Sequence, residues 1–146
     1  MGTSKLPIGI DLGTTNSCLA ILKHDKPETI QASDASTTYP SFVQYDQDSY
    51  NIITGHYAKS EADSFPKNTI NGFKRLMGLY YQDDIIQQCL CKKYFTYDIV
   101  NIDEYPRIKV QYDSKKKFLF PQQVSAHLLE SLLKSASRLA NCSSHL

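Results

Sequence analysis

The segment Ile8-Gly9-Ile10-Asp11-Leu12-Gly13-Thr14-Thr15-Asn16-Ser17 is a short apolar, β-branched run that stops at a carboxylate and enters a turn of one glycine and several hydroxyls. Cys18 to Leu22 is apolar again, so Pro7 to Leu12 and Cys18 to Leu22 are predicted to pair as a β-hairpin. Each part of the turn suits a polyphosphate. Gly13 has no side chain, which lets the backbone approach a ligand, and successive turn N–H groups can form an anion-binding nest. Thr14, Thr15 and Ser17 add hydroxyl donors. Asp11 repels phosphate directly, so it makes sense only as a holder of Mg²⁺ or of its coordinated waters. This is not the G-x-x-x-x-G-K-[ST] loop, because lysine is missing and a strand rather than a helix follows. Taken locally, a hydroxyl-rich β-turn with no ligand explains the same residues equally well.

Downstream, Glu28 to Ala32 alternates as a third strand, Ser33 to Thr38 is a polar loop, and Ser41 to Tyr45 with Ile52-Ile53 forms a further strand and its return. Tyr57, Ala58, Ala62 and Phe65 predict a short helix over His56 to Phe65, stopped by Pro66. A second is expected over Gly72 to Met77 and ended by Gly78, and a third over Gln82 to Leu90. Tyr94 to Ile102, Arg107 to Tyr112 and Lys117 to Phe120 read as an antiparallel meander, with Lys115-Lys116-Lys117 taken as a solvated turn. The clearest helix closes the chain. Pro121 opens it, and Val124, Leu128, Leu129, Leu132, Leu133, Ala136, Leu139 and Ala140 follow at spacings of three and four, so one face is expected against a sheet.

The 146 residues carry 41% hydrophobic and 21% charged side chains and a formal charge of +1, the profile of a folded globular chain with no strong pull toward nucleic acid or an anionic membrane. No run reaches the roughly 18 apolar residues of a membrane span, and the start lacks the pattern of a signal peptide, so the expected compartment is the cytoplasm. Cys18, Cys89, Cys91 and Cys142 match no zinc spacing and are expected to be free buried thiols.

The phrase Gly9-Ile10-Asp11-Leu12-Gly13-Thr14-Thr15-Asn16-Ser17 resembles the first phosphate loop of the Hsp70 chaperones, within the actin-like, ribonuclease-H-like ATPase superfamily. Collinear support comes from Tyr39-Pro40-Ser41-Phe42-Val43, Pro66-Lys67-Asn68-Thr69-Ile70, Phe73-Lys74-Arg75-Leu76-Met77-Gly78 and Pro121-Gln122-Gln123-Val124-Ser125-Ala126. The resemblance implies an α/β, partial actin-like ATPase fold with an appended α+β subdomain. Residues 1–39 would give the first core strands with the phosphate loop, 40–120 the appended subdomain, and 121–146 a core helix and a truncated end. It implies ATP and Mg²⁺ as ligands. Asp11 would lie near the metal, Gly13, Thr14, Thr15 and Asn16 would contact the β- and γ-phosphates, and Lys74 would be the catalytic lysine, neutralising γ-phosphate and helping to orient the attacking water. Without the resemblance, Lys74-Arg75 would be an ordinary surface pair. Family partners are ATP or ADP, cochaperones and unfolded clients.

Two departures stand out. Where the family usually has Arg-Thr-Thr-Pro-Ser, this chain has Thr37-Thr38-Tyr39-Pro40-Ser41, which removes an arginine and places an aromatic before the proline. The Lys-Arg-Leu-Met-Gly and Val-Ser-Ala wordings lean toward the iron–sulfur-cluster-assembly branch. The second departure is absence, since neither the second phosphate loop nor the adenosine motif occurs. The expectation is therefore an ATP-binding fragment that hydrolyses ATP poorly or not at all by itself. The competing expectation is a non-enzymatic interaction module or an inert truncation product.

Overall fold

The computed structural model describes residues 7–30 and 36–142. Strands β1 (Ile8–Asp11) and β2 (Asn16–Lys23) form the expected hairpin, with Asp11 opposite Cys18 and Ile8 opposite Ile21. β3 (Lys26–Thr29) returns along the other edge of β2, and β4 (Tyr39–Pro40) pairs with the start of β2 at Asn16 and Ser17. The third strand thus begins two residues earlier than the alternation indicated; Gln31 and Ala32, and with them part of the polar loop, lie outside the described residues.

A second sheet has the order β6 (Ile52–Thr54), β5 (Val43–Tyr45), β7 (Thr69–Ile70), and a third is the meander β8 (Asp98–Ile102), β9 (Tyr105–Tyr112), β10 (Lys115–Leu119). All pairings are antiparallel. Three of the hairpin turns are tighter than the sequence indicated. His24-Asp25, Asp103-Glu104 and Asp113-Ser114 all have positive φ, between 49° and 68°, the two-residue turn whose twist matches paired strands. In consequence the three lysines at 115–117 belong to β10 rather than to a solvated turn, and Tyr105-Pro106 starts β9.

Helix α1 (His56–Ser60) is half the expected length and runs on as turns to Phe65, while α2 covers Asp84–Cys91. The expected helix at Gly72 is a 3-10 helix over Phe73–Leu76, with Gly72 left-handed before it and Met77 extended after it. Cys18 and Cys89 are half-buried and Cys91 is exposed, so the expectation of buried thiols fails there: Cys91 ends α2 on its solvent side.

The closing helix α3 (Pro121–Cys142) sets the core. Val124, Leu128, Leu132 and Ala136 are almost fully buried and meet β2, β5, β6, β9 and the 3-10 helix. Leu133, expected on the same face, is 43% exposed, because the buried row follows the i, i+4 line and leaves 133 beside it. Asn68 joins the second and third sheets. Its Nδ2 donates to the carbonyls of Tyr45 (2.9 Å) and Gln111 (2.6 Å), and its Oδ1 accepts from the Gln111 N–H (2.9 Å). His127 on α3 shares a 2.8 Å hydrogen bond with the buried Tyr45 hydroxyl, and burial holds its pKa below the ordinary histidine value, with Glu130 opposing.

Asn68→Ala should lower unfolding stability by on the order of 3 kcal/mol, since it strands two carbonyls and one N–H that water reaches poorly; chemical denaturation measures this. For His127 the native state resists a proton that the unfolded chain accepts. The stability that the neutral ring contributes is therefore present above about pH 6.5 and lost as pH falls through the lower native pKa. Between pH 7.5 and 5.5 the Tm of His127→Gln should fall less than that of the unmodified chain.

Candidate functional site

The loop between β1 and β2 is fixed from beneath through its carbonyl groups. Lys74 Nζ donates to the Leu12 carbonyl at 2.7 Å, Ser41 Oγ donates to the Gly13 carbonyl at 2.8 Å, and the Ser41 N–H donates to the Thr15 carbonyl at 2.9 Å. With the carbonyls drawn inward, the N–H groups of Gly13, Thr14 and Thr15 find no acceptor among the described residues. The Thr14 and Thr15 hydroxyls likewise have no partner there. Asp11, Thr15 and Asn16 are exposed, and Thr14 is half-buried. What results is a patch of unused donors beside one carboxylate.

Gly13 is required for a reason the sequence did not disclose. A Cβ at this position would sit 2.0 Å from the Asn16 carbonyl oxygen, so the turn closes on the space a side chain would fill. Ser17, counted with the hydroxyl donors, is not available: it is buried, and its Oγ lies 2.9 Å from Ser41 Oγ. Ser41 is thus the residue that sequence reasoning passed over. A buried serine following proline carries no signal of its own; only the paired geometry shows that it shapes the loop.

Lys74 reaches the loop because of how its short helix is anchored. In a 3-10 turn residues three apart share a face, and Phe73 and Leu76 are both 1% exposed, which turns Lys74 and Arg75 outward. Arg75 lies over the Tyr94 ring at 5.1 Å. Tyr39, the departure before Pro40, has a structural place as well. Its hydroxyl meets Thr54 Oγ1 (3.0 Å) and Ser131 Oγ (3.3 Å), and its ring lies where a Cβ on Gly55 would be 2.5 Å away. The aromatic ties β4 to β6 and α3.

The chain matches the family model described as Hsp70 protein over residues 7–143. This chain belongs to the Hsp70 family. It is 41% identical over 137 residues to the chaperone protein DnaK of Carsonella ruddii (strain PV), covering 92% of this chain and 21% of that protein. It is 38% identical over 129 residues to the chaperone protein DnaK of Buchnera aphidicola subsp. Schizaphis graminum (strain Sg), covering 88% and 19%. The chain spans about a fifth of the length of these curated relatives. Its antiparallel sheets and closing helix are part of the actin-like ATPase fold of this Hsp70 family.

No group of three or more His, Cys, Asp or Glu among the described residues could hold a metal ion. Asp11 stands as a single exposed carboxylate, which fits Mg²⁺ carried by a nucleotide and its waters and not a cation caged by protein. No helix among the described residues is long and apolar enough to cross a membrane.

Gly13→Ala should open the turn, because the Asn16 carbonyl must move to admit a methyl group. A loss of about 1–3 kcal/mol in thermal or denaturant unfolding is expected, together with changed amide resonances for residues 13–16.

Proposed function

We propose that this Hsp70 chain supplies the terminal-phosphate half of an ATP site in the cytoplasm. The observation that supports this most is the hydrogen bond from Lys74 to the Leu12 carbonyl, which brings a cation from 62 residues away onto the loop whose N–H donors are unused. Gly13, Thr14, Thr15 and Asn16 bind the β- and γ-phosphates through these N–H groups and hydroxyls. Lys74 is the catalytic lysine. Its ammonium exchanges the Leu12 carbonyl for γ-phosphate oxygen, offsets the charge there and holds the attacking water in line. Asp11 is the residue that would hold Mg²⁺ and its waters, and the ion would supply neutralisation of phosphate charge there. Residues 1–39 and 121–146 act as core-subdomain segments and 40–120 as the appended subdomain. ATP hydrolysis coupled to folding of client proteins, with cochaperones, is the activity of the full-length family; for this chain alone we infer nucleotide binding with little turnover.

A non-enzymatic interaction module is the second reading. It is favoured by β1, which is paired along one edge only among the described residues, and by Ile8, Leu22 and Leu133, each about 40% exposed.

Calorimetry with Mg·ATP on the purified chain tests the proposal. Heat of binding and a raised Tm are expected, with Thr14→Val weakening binding and Lys74→Ala reducing phosphate release more than affinity. The absence of both heat and thermal shift would remove the nucleotide reading and leave the interaction module. Turnover equal to that of a full-length relative would overturn the inference that this portion does little alone.

A further inference from the structure

The second sheet gives one face to the core and leaves part of the other open. Val43, Tyr45 and Ile70 are fully buried on the core side, where the Tyr45 hydroxyl meets His127 of α3. Side chains alternate along a strand, so Gln44 points the opposite way, between its register partners Ile53 on β6 and Thr69 on β7. Two polar atoms on that face lack partners. Gln44 is 5% exposed and its Oε1 is buried without a donor, while Thr69 Oγ1, on the strand directly across, is buried without a hydrogen bond of any kind. The Gln44 amino group also has no acceptor among the described residues, but it is not sealed in as the oxygen is. Leaving a buried amide unsatisfied is costly, and a ligand able to donate to it would remove that cost.

Gln44 lines an open cavity of about 270 Å³. Ile53 and Phe65 supply apolar wall, Asp46, Asp48 and Glu61 supply carboxylates, and no residue of the lining is basic. Asp46 stays ionised: the Asp48 and Ser49 N–H groups donate to its Oδ1 at 2.9 and 3.0 Å and hold its pKa below the ordinary carboxylate value. Asp48 and Glu61 form no ion pair among the described residues. The three carboxylates do not come together as a group that could hold a metal ion. Spread around a slot with apolar walls, they suit a longer cation.

We propose that this cavity receives an arginine side chain from a basic segment of a partner protein, its guanidinium donating to Gln44 Oε1 and to the carboxylates of Asp48 and Glu61. A half-turn about the terminal torsion of Gln44 exchanges the two ends of its amide. That brings Oε1 to the open side and places the amino group at the buried end, on the face that carries the unpartnered Thr69 Oγ1. Guanidinium fits better than ammonium because an amide oxygen and separate carboxylates must be met at once, and a planar fork of five donors does this while keeping its charge. The arginine methylenes pack on Ile53 and on the Phe65 ring, which is 40% exposed. The volume accommodates one side chain of this length rather than a whole small-molecule ligand.

The test titrates the capped peptide acetyl-Ala-Leu-Arg-Leu-Ala-amide into the full chain, beside a counterpart with citrulline, the neutral isostere, in place of arginine. Backbone and side-chain amide resonances are followed. The Arg peptide is expected to shift the Gln44 side-chain amide and the backbone signals of Asp48, Glu61 and Phe65, with the citrulline peptide about tenfold weaker. Gln44→Leu should weaken the Arg peptide severalfold. Because that variant alters a buried position, Glu61→Gln at the exposed rim provides a second arm and should narrow the gap between the two peptides. Equal affinities for the Arg and citrulline peptides on the unmodified chain would overturn the proposal. Shifts that map away from this cavity would do the same, as would spermidine binding there as tightly as the Arg peptide, which would make the occupant a small free cation.

Discussion

The apolar row Val124, Leu128, Leu132 and Ala136 on α3 is the constraint on which the other elements depend. Each of these side chains is nearly or fully buried, and burying a leucine or valine contributes roughly 2 kcal/mol. More important than the sum is the reach of the row. A single helix touches the β1–β2 hairpin sheet through β2, the second sheet through β5 and β6, the meander through β9, and the 3-10 helix that carries Lys74. None of these elements is large enough to enclose a core alone. Their mutual positions are therefore set by where they meet α3, and the distance from Lys74 to the β1–β2 loop follows from that packing. Phe73 and Leu76 sit in the shared core while Leu19 and Ile21 of β2 enter it from the loop's own strand, so amine and loop are fixed to one body.

Polar ties then choose among the arrangements that apolar packing permits. Asn68 satisfies backbone groups of two sheets at once, and the hydroxyls of Tyr39, Thr54 and Ser131 link β4, β6 and α3, with Thr54 donating to Ser131 at 2.7 Å. Hydrogen bonds of this kind add little net stability, but the cost of leaving them unmade penalises any sheet register that would break them. Ser41 does the same for the loop. It receives no ligand in our proposal, yet by binding the Gly13 and Thr15 backbone it turns the carbonyls inward and the N–H groups outward.

Much of this was legible in the sequence where the signal is local. The hairpin, the meander and α3 follow from alternation and from the three-four spacing, and the phosphate phrase is specific enough to name the family. What escaped is set by non-local contacts or by single φ values. The 3-10 helix and the helix expected over Gly72 to Met77 have the same apolar spacing within one turn, and only packing of Phe73 and Leu76 on α3 selects the tighter form. The two-residue turns depend on His, Asp, Glu and Ser accepting positive φ, which composition does not announce as glycine would. Likewise the exposure of Leu133 depends on which of two adjacent helical lines meets the sheet. The roles of Ser17 and Ser41 reverse for a similar reason: one hydroxyl faces the core and the other is held under the loop, and nothing in their sequence neighbourhoods distinguishes them.

The exposure of the loop bears on what its donors can do. Asp11, Thr15 and Asn16 lie at the surface, where water competes for every hydrogen bond and an effective dielectric far above that of an interior weakens each charge interaction several-fold. Donors aimed at a phosphate still determine where it binds, since direction survives screening better than strength. Stabilising the charge that develops during phosphoryl transfer is more demanding, because it requires a site from which water is excluded. On the proposed reading, a loop with oriented but solvent-facing donors favours capture and orientation of a nucleotide over its cleavage. This asymmetry follows from the burial of Ser17 and Ser41 beneath the loop and the exposure of Thr15 and Asn16 above it. The hydrogen bonds that fix the loop lie under its backbone, and the face that carries the unused donors is open to solvent.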